Sequence, residues 1–401
     1  MKTNDYISRE NQYLAHNYHP LPVVLTRAEG VWVWDADGNK YLDFLSAYSA
    51  VSAGHLNQRI RQALIAQLEV MDVPSRAFYT DKLGAFAEAL CKLAGMDRML
   101  PMNTGAEAVE TAIKAARRWG YRVKGIAKDK ARIIVSAGNF HGRTSTIVGF
   151  SSDESYRADF GPFSGGFDIV AFGDAAALER ATTAETCAFI TEPVQGEGGV
   201  IIPPKGWLKQ VQQVCRKNNV LFILDEIQSG MGRTGKNFAF QHEIDRPDGL
   251  ILGKALGGGI YPVSAFLSRK DVMDVFEPGS HGSTFGGNPV AAAIGLEAIK
   301  VLEDENLAGK SAELGGYLKD RLAEINSSLI TEIRGMGLWI GVDIDPDKAS
   351  AREVCERLQK KGMLCKETHK TVVRFAPPLT IAKEEIDWAV EQVRGVLSEM
   401  E

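Results

Sequence analysis

Two short, unbroken apolar runs, each stopped by a charge, narrow the possible folds most. Val220-Leu-Phe-Ile-Leu ends at Asp225, and Gly249-Leu-Ile-Leu-Gly ends at Lys254. A strand wet on one face alternates apolar and polar residues, so a run without alternation belongs to a strand covered on both faces. Arg132-Ile-Ile-Val-Ser136 and Ala188-Phe-Ile-Thr-Glu192-Pro193 read the same way. Helical patterns lie between them, at 102–119 with Val109, Ala112, Ile113 and Ala116 on one face, and at 207–217. This alternation predicts an α/β fold, a large and mostly parallel sheet with helices on both sides. In such sheets ligands gather past the carboxyl ends of the strands, where Glu192, Asp225 and Lys254 fall.

A chain of 401 residues exceeds one simple core and predicts two domains. The opening alternates in Gly30-Val-Trp-Val-Trp-Asp-Ala-Asp-Gly38, a short β unit. After Asn288-Pro289 a long helix over 290–303 leads into a region of mixed helices and strands. The expected division is a large α/β domain at 48–289 and a smaller α+β domain formed by both termini, 1–47 and 290–401.

With 46 basic and 51 acidic residues the net charge is −5, which gives no reason to expect a nucleic-acid or acidic-membrane partner. No apolar run reaches the roughly 20 residues that span a bilayer. Met1-Lys-Thr-Asn-Asp-Tyr6 carries neither a signal-peptide core nor a transit pattern. The five cysteines are scattered, without Cys-x-x-Cys, and read as reduced thiols of a cytoplasmic protein. The histidines show no metal-ligand spacing, so no metal is expected.

The chemistry is concentrated in a few residues. Burial disfavours the charged form of a lysine, and an amine that is partly neutral can form a Schiff base with an aldehyde. A buried aspartate needs a cationic partner, which a protonated pyridine nitrogen supplies. Lys254 and Asp225 together meet the requirement of pyridoxal 5'-phosphate. Thr104 and Glu107 form a capping box over Gly105 and Ala106, a helix start suited to a phosphate or to nothing beyond a cap. Ser283 and Thr284, among glycines at 279–288, are a second phosphate candidate or a plain loop. Phe140 can stack on a flat ring or fill a core. Arg143 and Arg374, each in apolar company, call for a carboxylate from the protein or from a ligand. Gly230-Met-Gly-Arg-Thr-Gly-Lys-Asn237 nearly matches a nucleotide-binding loop, but Asn237 replaces the magnesium-binding hydroxyl. It reads as a surface turn.

Asn103-Thr-Gly, Asn139-Phe-His-Gly-Arg143, Glu192-Pro-Val-Gln-Gly-Glu197, Asp225-Glu-Ile-Gln-Ser-Gly, Gly253-Lys-Ala-Leu-Gly-Gly-Gly and His281-Gly-Ser-Thr-Phe-Gly-Gly-Asn-Pro289 occur in one order. Together they resemble the class-III pyridoxal-phosphate-dependent aminotransferases of fold type I, over about residues 15–390. Within the class, His16-Asn-Tyr18, Phe44-Leu-Ser-Ala-Tyr48 and Ser75-Arg-Ala-Phe-Tyr79 are similar to the ornithine-using members. One position departs: His141 stands where some of those members carry tryptophan.

The resemblance implies roles. Lys254 bonds the cofactor and shuttles the proton. Asp225 holds the ring nitrogen, Gln228 the phenolic oxygen, and Phe140 stacks on the ring. Thr104, Gly105 and Ala106, with Ser283 and the neighbouring subunit's Thr284, surround the phosphate, which makes the enzyme a homodimer or a dimer of dimers. Ornithine's α-carboxylate pairs with Arg143 and Tyr18, so that its δ-amino group is presented. 2-Oxoglutarate puts its α-carboxylate on Arg374 and its distal carboxylate on Arg143. Glu197 masks Arg374 in the first half-reaction, and Tyr48 shapes the pocket. The implied activity is δ-transamination of L-ornithine to L-glutamate 5-semialdehyde with 2-oxoglutarate as acceptor. Another ω-aminotransferase of the class, for acetylornithine or 4-aminobutyrate, is the alternative.

Overall fold

The structure, a computed structural model, describes residues 3–401. Met1 and Lys2, which open the segment read for a leader, lie outside the described residues. The largest sheet has seven strands, in the order Arg98–Met102, Ser264–Ser268, Gly249–Leu252, Leu221–Asp225, Thr186–Thr191, Arg132–Ser136 and Phe167–Val170. Six point the same way, and Ser264–Ser268 runs antiparallel between its two neighbours. Every residue of Thr186–Thr191, Leu221–Asp225 and Gly249–Leu252 is buried, as the unbroken apolar runs require. Each large side chain in them contributes roughly 1.5–3 kcal/mol by leaving water. The α/β expectation holds.

The helix Gly105–Trp119 buries Val109, Ala112, Ile113 and Ala116 together, the face its 3.6-residue periodicity marks out. Helix Pro289–Asp304 starts on the Asn288 side chain, which accepts the Ala291 N–H at 2.9 Å, with proline in its first turn. It packs against helices Gln58–Leu68 and Asp81–Ala94. At Gly295 a Cβ would stand 2.5 Å from the Phe86 ring, so only glycine admits this approach.

Two four-stranded sheets complete the molecule. One joins Leu25–Glu29, Trp32–Asp35 and Lys40–Asp43 to Met363–Leu364, with Met363 opposite Leu42. Strands far apart in sequence therefore share one sheet. The other holds Ile330–Gly335, Ile340–Ile344, Val372–Phe375 and Lys366–Thr368. It sets Arg374 opposite Gly341 and Lys366.

The segment at 230–237 is not the expected surface turn. Arg233 and Thr234 are buried. Arg233 Nη1 donates to the carbonyls of Leu338 (2.9 Å) and Pro377 (2.6 Å), and Nη2 to Ser52 Oγ (3.0 Å). Its charge suggested exposure, but polar oxygens from three distant segments replace its water. Gly232 and Gly235, at φ +92° and +93°, make the turns that bring it there. Among the described residues all five cysteines are free thiols, and no helix is long and apolar enough to cross a membrane.

Candidate active site

Lys254 follows the strand Gly249–Leu252 and sits at φ +45°, a left-handed conformation that costs a side-chain-bearing residue about 1–2 kcal/mol. Such strain persists where the surroundings impose it, and it concentrates at functional sites. Burial pushes the amine's pKa down to about 8, against the opposing charge of Glu197. Asp225 ends the adjacent strand and is buried. One of its oxygens accepts the Ile227 N–H at 3.0 Å, and the other lies 2.6 Å from His141 Nδ1. Burial lowers the His141 pKa, but the hydrogen bond to Asp225 and the charges of Asp225 and Glu192 together outweigh it and raise the pKa. Both strand ends open on one cavity, lined also by Gly105, Ala106, Phe140, Gly142, Glu192, Val194 and Gln228.

The helix Gly105–Trp119 aims its start at this cavity. Thr104 Oγ1 accepts the Glu107 N–H, and the Glu107 carboxylate accepts those of Asn103 (3.0 Å) and Thr104 (2.8 Å). The cap leaves the N–H groups of Gly105 and Ala106 at the mouth, where an anion would meet the positive end of the helix dipole. A Cβ on Gly105 would stand 2.8 Å from Ile227 Cδ1, so glycine lets the helix start reach the strand ends. Ser283 Oγ accepts from Asn103 Nδ2 at 2.8 Å, beside this cap. Thr284 is not brought into the cavity. It lines a separate groove with residues 73–80.

The two arginines are held differently. Arg374 is buried mid-strand, its Nη1 2.9 Å from Glu197 Oε1, its guanidinium 4.7 Å from the Tyr48 ring centre. Among the described residues its Nε and Nη2 have no hydrogen-bond partner, and neither does Gln228 Oε1. Gln228 Nε2 donates to the same Glu197 oxygen at 2.9 Å. Burial raises the Glu197 pKa, but the Arg374 and Lys254 charges and these bonds prevail and lower it. Tyr48 reaches Arg374 from four successive left-handed residues, Ser46–Ser49, at φ +45° to +74°. Asp43 holds this turn by accepting the N–H groups of Leu45 and Ser46. Arg143 is exposed, with no carboxylate within 4 Å among the described residues. It shares a cavity with Asn17, Tyr18, Ser145, Tyr156 and Phe160.

Comparison with known proteins fits this geometry. The family described as aminotransferase class-III matches residues 13–397. The chain belongs to the class-III aminotransferases. An ornithine aminotransferase of Brevibacillus brevis is 56% identical over 396 residues, covering 99% of this chain and 98% of that one. The ornithine aminotransferase of Bacillus subtilis is 53% identical over similar shares. Among solved structures, ornithine aminotransferase from Toxoplasma gondii superposes with a TM-score of 0.98 at 42% identity, over 100% of this chain and 96% of that one. Acetylornithine aminotransferase from Elizabethkingia anophelis reaches 0.91 at 44% identity over the full length of both.

As a class-III aminotransferase the chain depends on pyridoxal 5'-phosphate. Its residues fit that group. Lys254 is half-buried, with a pKa lowered by desolvation, Asp225 is a buried carboxylate lining the same cavity, and a helix start presents free N–H groups. The partnerless Gln228 Oε1 is the kind of buried polar atom a polar ligand accounts for.

Sequence reasoning placed Glu192 at a ligand-gathering strand end without its bonds, and did not place His141 or Tyr156 beside the cavity at all. Glu192 Oε2 accepts the Phe140 N–H (3.0 Å) and Oε1 the Gly196 N–H (3.3 Å), tying two site loops together. Its place just past a buried strand was the only available signal. His141 was noted only as a departure from pattern, and its bond to Asp225 needs the fold. Tyr156 lies in a polar stretch, Ser151-Ser-Asp-Glu-Ser, that carries no periodic signal at all.

Proposed function

We propose that this enzyme transfers the δ-amino group of L-ornithine to 2-oxoglutarate, giving L-glutamate 5-semialdehyde and L-glutamate. The observation that carries the reading is the unequal state of the two arginines. Arg374 is paired with Glu197, while Arg143 is open beside Tyr18. An α-carboxylate offered to this site meets Arg143, which leaves the far amino group of ornithine for the chemistry. A dicarboxylic oxo acid carries a second carboxylate that can compete with Glu197 for Arg374.

Pyridoxal 5'-phosphate supplies the electron sink that makes the carbon bearing the amino group acidic. Lys254 Nζ, partly neutral near pH 7, takes and returns that proton. Asp225, oriented by His141 and the Ile227 N–H, would hold the ring nitrogen of that group. Gly105, Ala106, Thr104 and Ser283 would hold its phosphate, Phe140 would stack on its ring and Gln228 would meet its phenolic oxygen. Tyr48 bounds the substrate chain beside Arg374.

The same reading makes the protein a cytoplasmic homodimer or dimer of dimers, with Thr284 serving the neighbouring subunit's phosphate. Its support is Thr284's position on the 73–80 groove, where Phe78 and Tyr79 are exposed. A large unit at 48–289 and a small one from 1–47 and 290–401 accord with the sheets each range contributes.

Acetylornithine is the second reading, favoured by the 44% identity to the Elizabethkingia enzyme. The Tyr18 phenol beside Arg143 leaves less room for an acyl group on the α-nitrogen. Titrating the coloured holoenzyme with ornithine, acetylornithine and 4-aminobutyrate in parallel decides between them. Ornithine is expected to bleach the cofactor band at the lowest concentration. Preference for acetylornithine would overturn the assignment.

A further inference from the structure

Arg143 poses a problem that Arg374 does not. On the reading above, which this inference rests on, Arg143 receives a carboxylate in both half-reactions. A glutamate holding it in place would have to be displaced twice per cycle. Left free, the side chain would lose up to about 2 kcal/mol of rotamer freedom each time a substrate froze it.

The structure offers a hold that does not compete. The Arg143 guanidinium carbon lies 4.3 Å from the centre of the Tyr156 ring and 5.5 Å from that of Phe140. The two rings meet edge to face at 5.8 Å and 74°. Tyr156 closes a short turn, Glu154–Tyr156, whose start Asp153 caps by accepting the Ser155 N–H at 2.9 Å. Its ring lines the cavity of Arg143 and Tyr18 and also the neighbouring one of Glu197 and His369. Stacking engages the flat face of a guanidinium and leaves its in-plane N–H fork free for a carboxylate.

We propose that Tyr156 is a positioning residue for substrate carboxylates: its ring is the shelf that holds Arg143 in readiness for ornithine and for the distal carboxylate of 2-oxoglutarate. Arg374 is held by a carboxylate that has to leave, and Arg143 by an aromatic face that stays.

The test compares Tyr156→Leu and Tyr156→Phe holoenzymes with the unaltered one. In the leucine variant KM for ornithine and for 2-oxoglutarate should each rise about 3- to 30-fold, the range of a cation–π contact partly shielded from water. Glutarate, a dicarboxylate that does not react, should bind more weakly by a similar factor in calorimetry. kcat/KM for pyruvate, a monocarboxylic oxo acid that needs only Arg374, should stay within about twofold. The phenylalanine variant should recover most of the lost affinity. An equal loss for pyruvate, or unchanged glutarate binding, would overturn the proposal. Failure of the unaltered enzyme to use ornithine would sink the substrate reading instead, and glutarate would still decide the role of Tyr156.

Discussion

At the scale of single residues the site is a set of charges whose environments differ. The Lys254 amine, with a pKa pushed down to about 8 by burial, is protonated below that value and neutral above it. Its reaction with an acylating reagent in the cofactor-free protein should rise about ninefold from pH 6 to pH 7 and less than twofold from pH 8 to pH 9. Peptide mass spectrometry of residue 254 measures this, and an increase continuing past pH 10 would mean the amine is not desolvated. Glu197→Gln removes the charge facing Arg374. Ornithine should then bind reversed, and the share of α-amino transfer should grow about tenfold, as expected for losing a hydrogen bond between charged groups. Analysis of the two possible oxo products reads this directly. Lys254, Asp225 and Arg374 were legible because a charge in an apolar run is costly without a partner, whereas Arg143, which proves exposed, was legible through the motif that carries it. Glu192 was legible only as a strand-end carboxylate and Tyr156 not at all, because their partners come from other loops.

Among elements, the helix Gly105–Trp119 does two jobs at its first turn. The Thr104–Glu107 box ends the helix cleanly and leaves the next two N–H groups for an anion. Thr104→Ala should cost about 1 kcal/mol of stability, read from chemical denaturation, and also weaken cofactor binding. A loss of stability with unchanged affinity for pyridoxal phosphate would separate the cap from the site. The strands Arg132–Ser136 and Leu221–Asp225 and the helix Trp207–Lys217 lie where periodicity placed them. Periodicity failed at 230–237, where glycine and charge imitate a surface turn. Nothing local reveals that carbonyls from residues 338 and 377 receive the arginine.

For the molecule as a whole, the groove along 73–80 is the region to perturb. Leu68, Val70, Phe78 and Tyr79 are exposed, and Thr284 borders the same groove. Tyr79→Asp would place a charge where a dimer needs an apolar surface, and should weaken self-association about 100-fold. Sedimentation should then show monomers that have lost affinity for pyridoxal phosphate. A monomeric variant with full affinity would remove Thr284 from the cofactor site. Sequence alone determined which strands are buried, which charges end them and hence the cofactor chemistry, since those follow from the order of apolar and polar residues along the chain. Only the tertiary structure decided that His141 meets Asp225 and that Arg143 lies on Tyr156, and it brought Glu197 to Arg374 as the family resemblance implies. Those pairings span 13 to 177 positions, and a contact across such a distance depends on how the chain closes on itself, which no local pattern encodes.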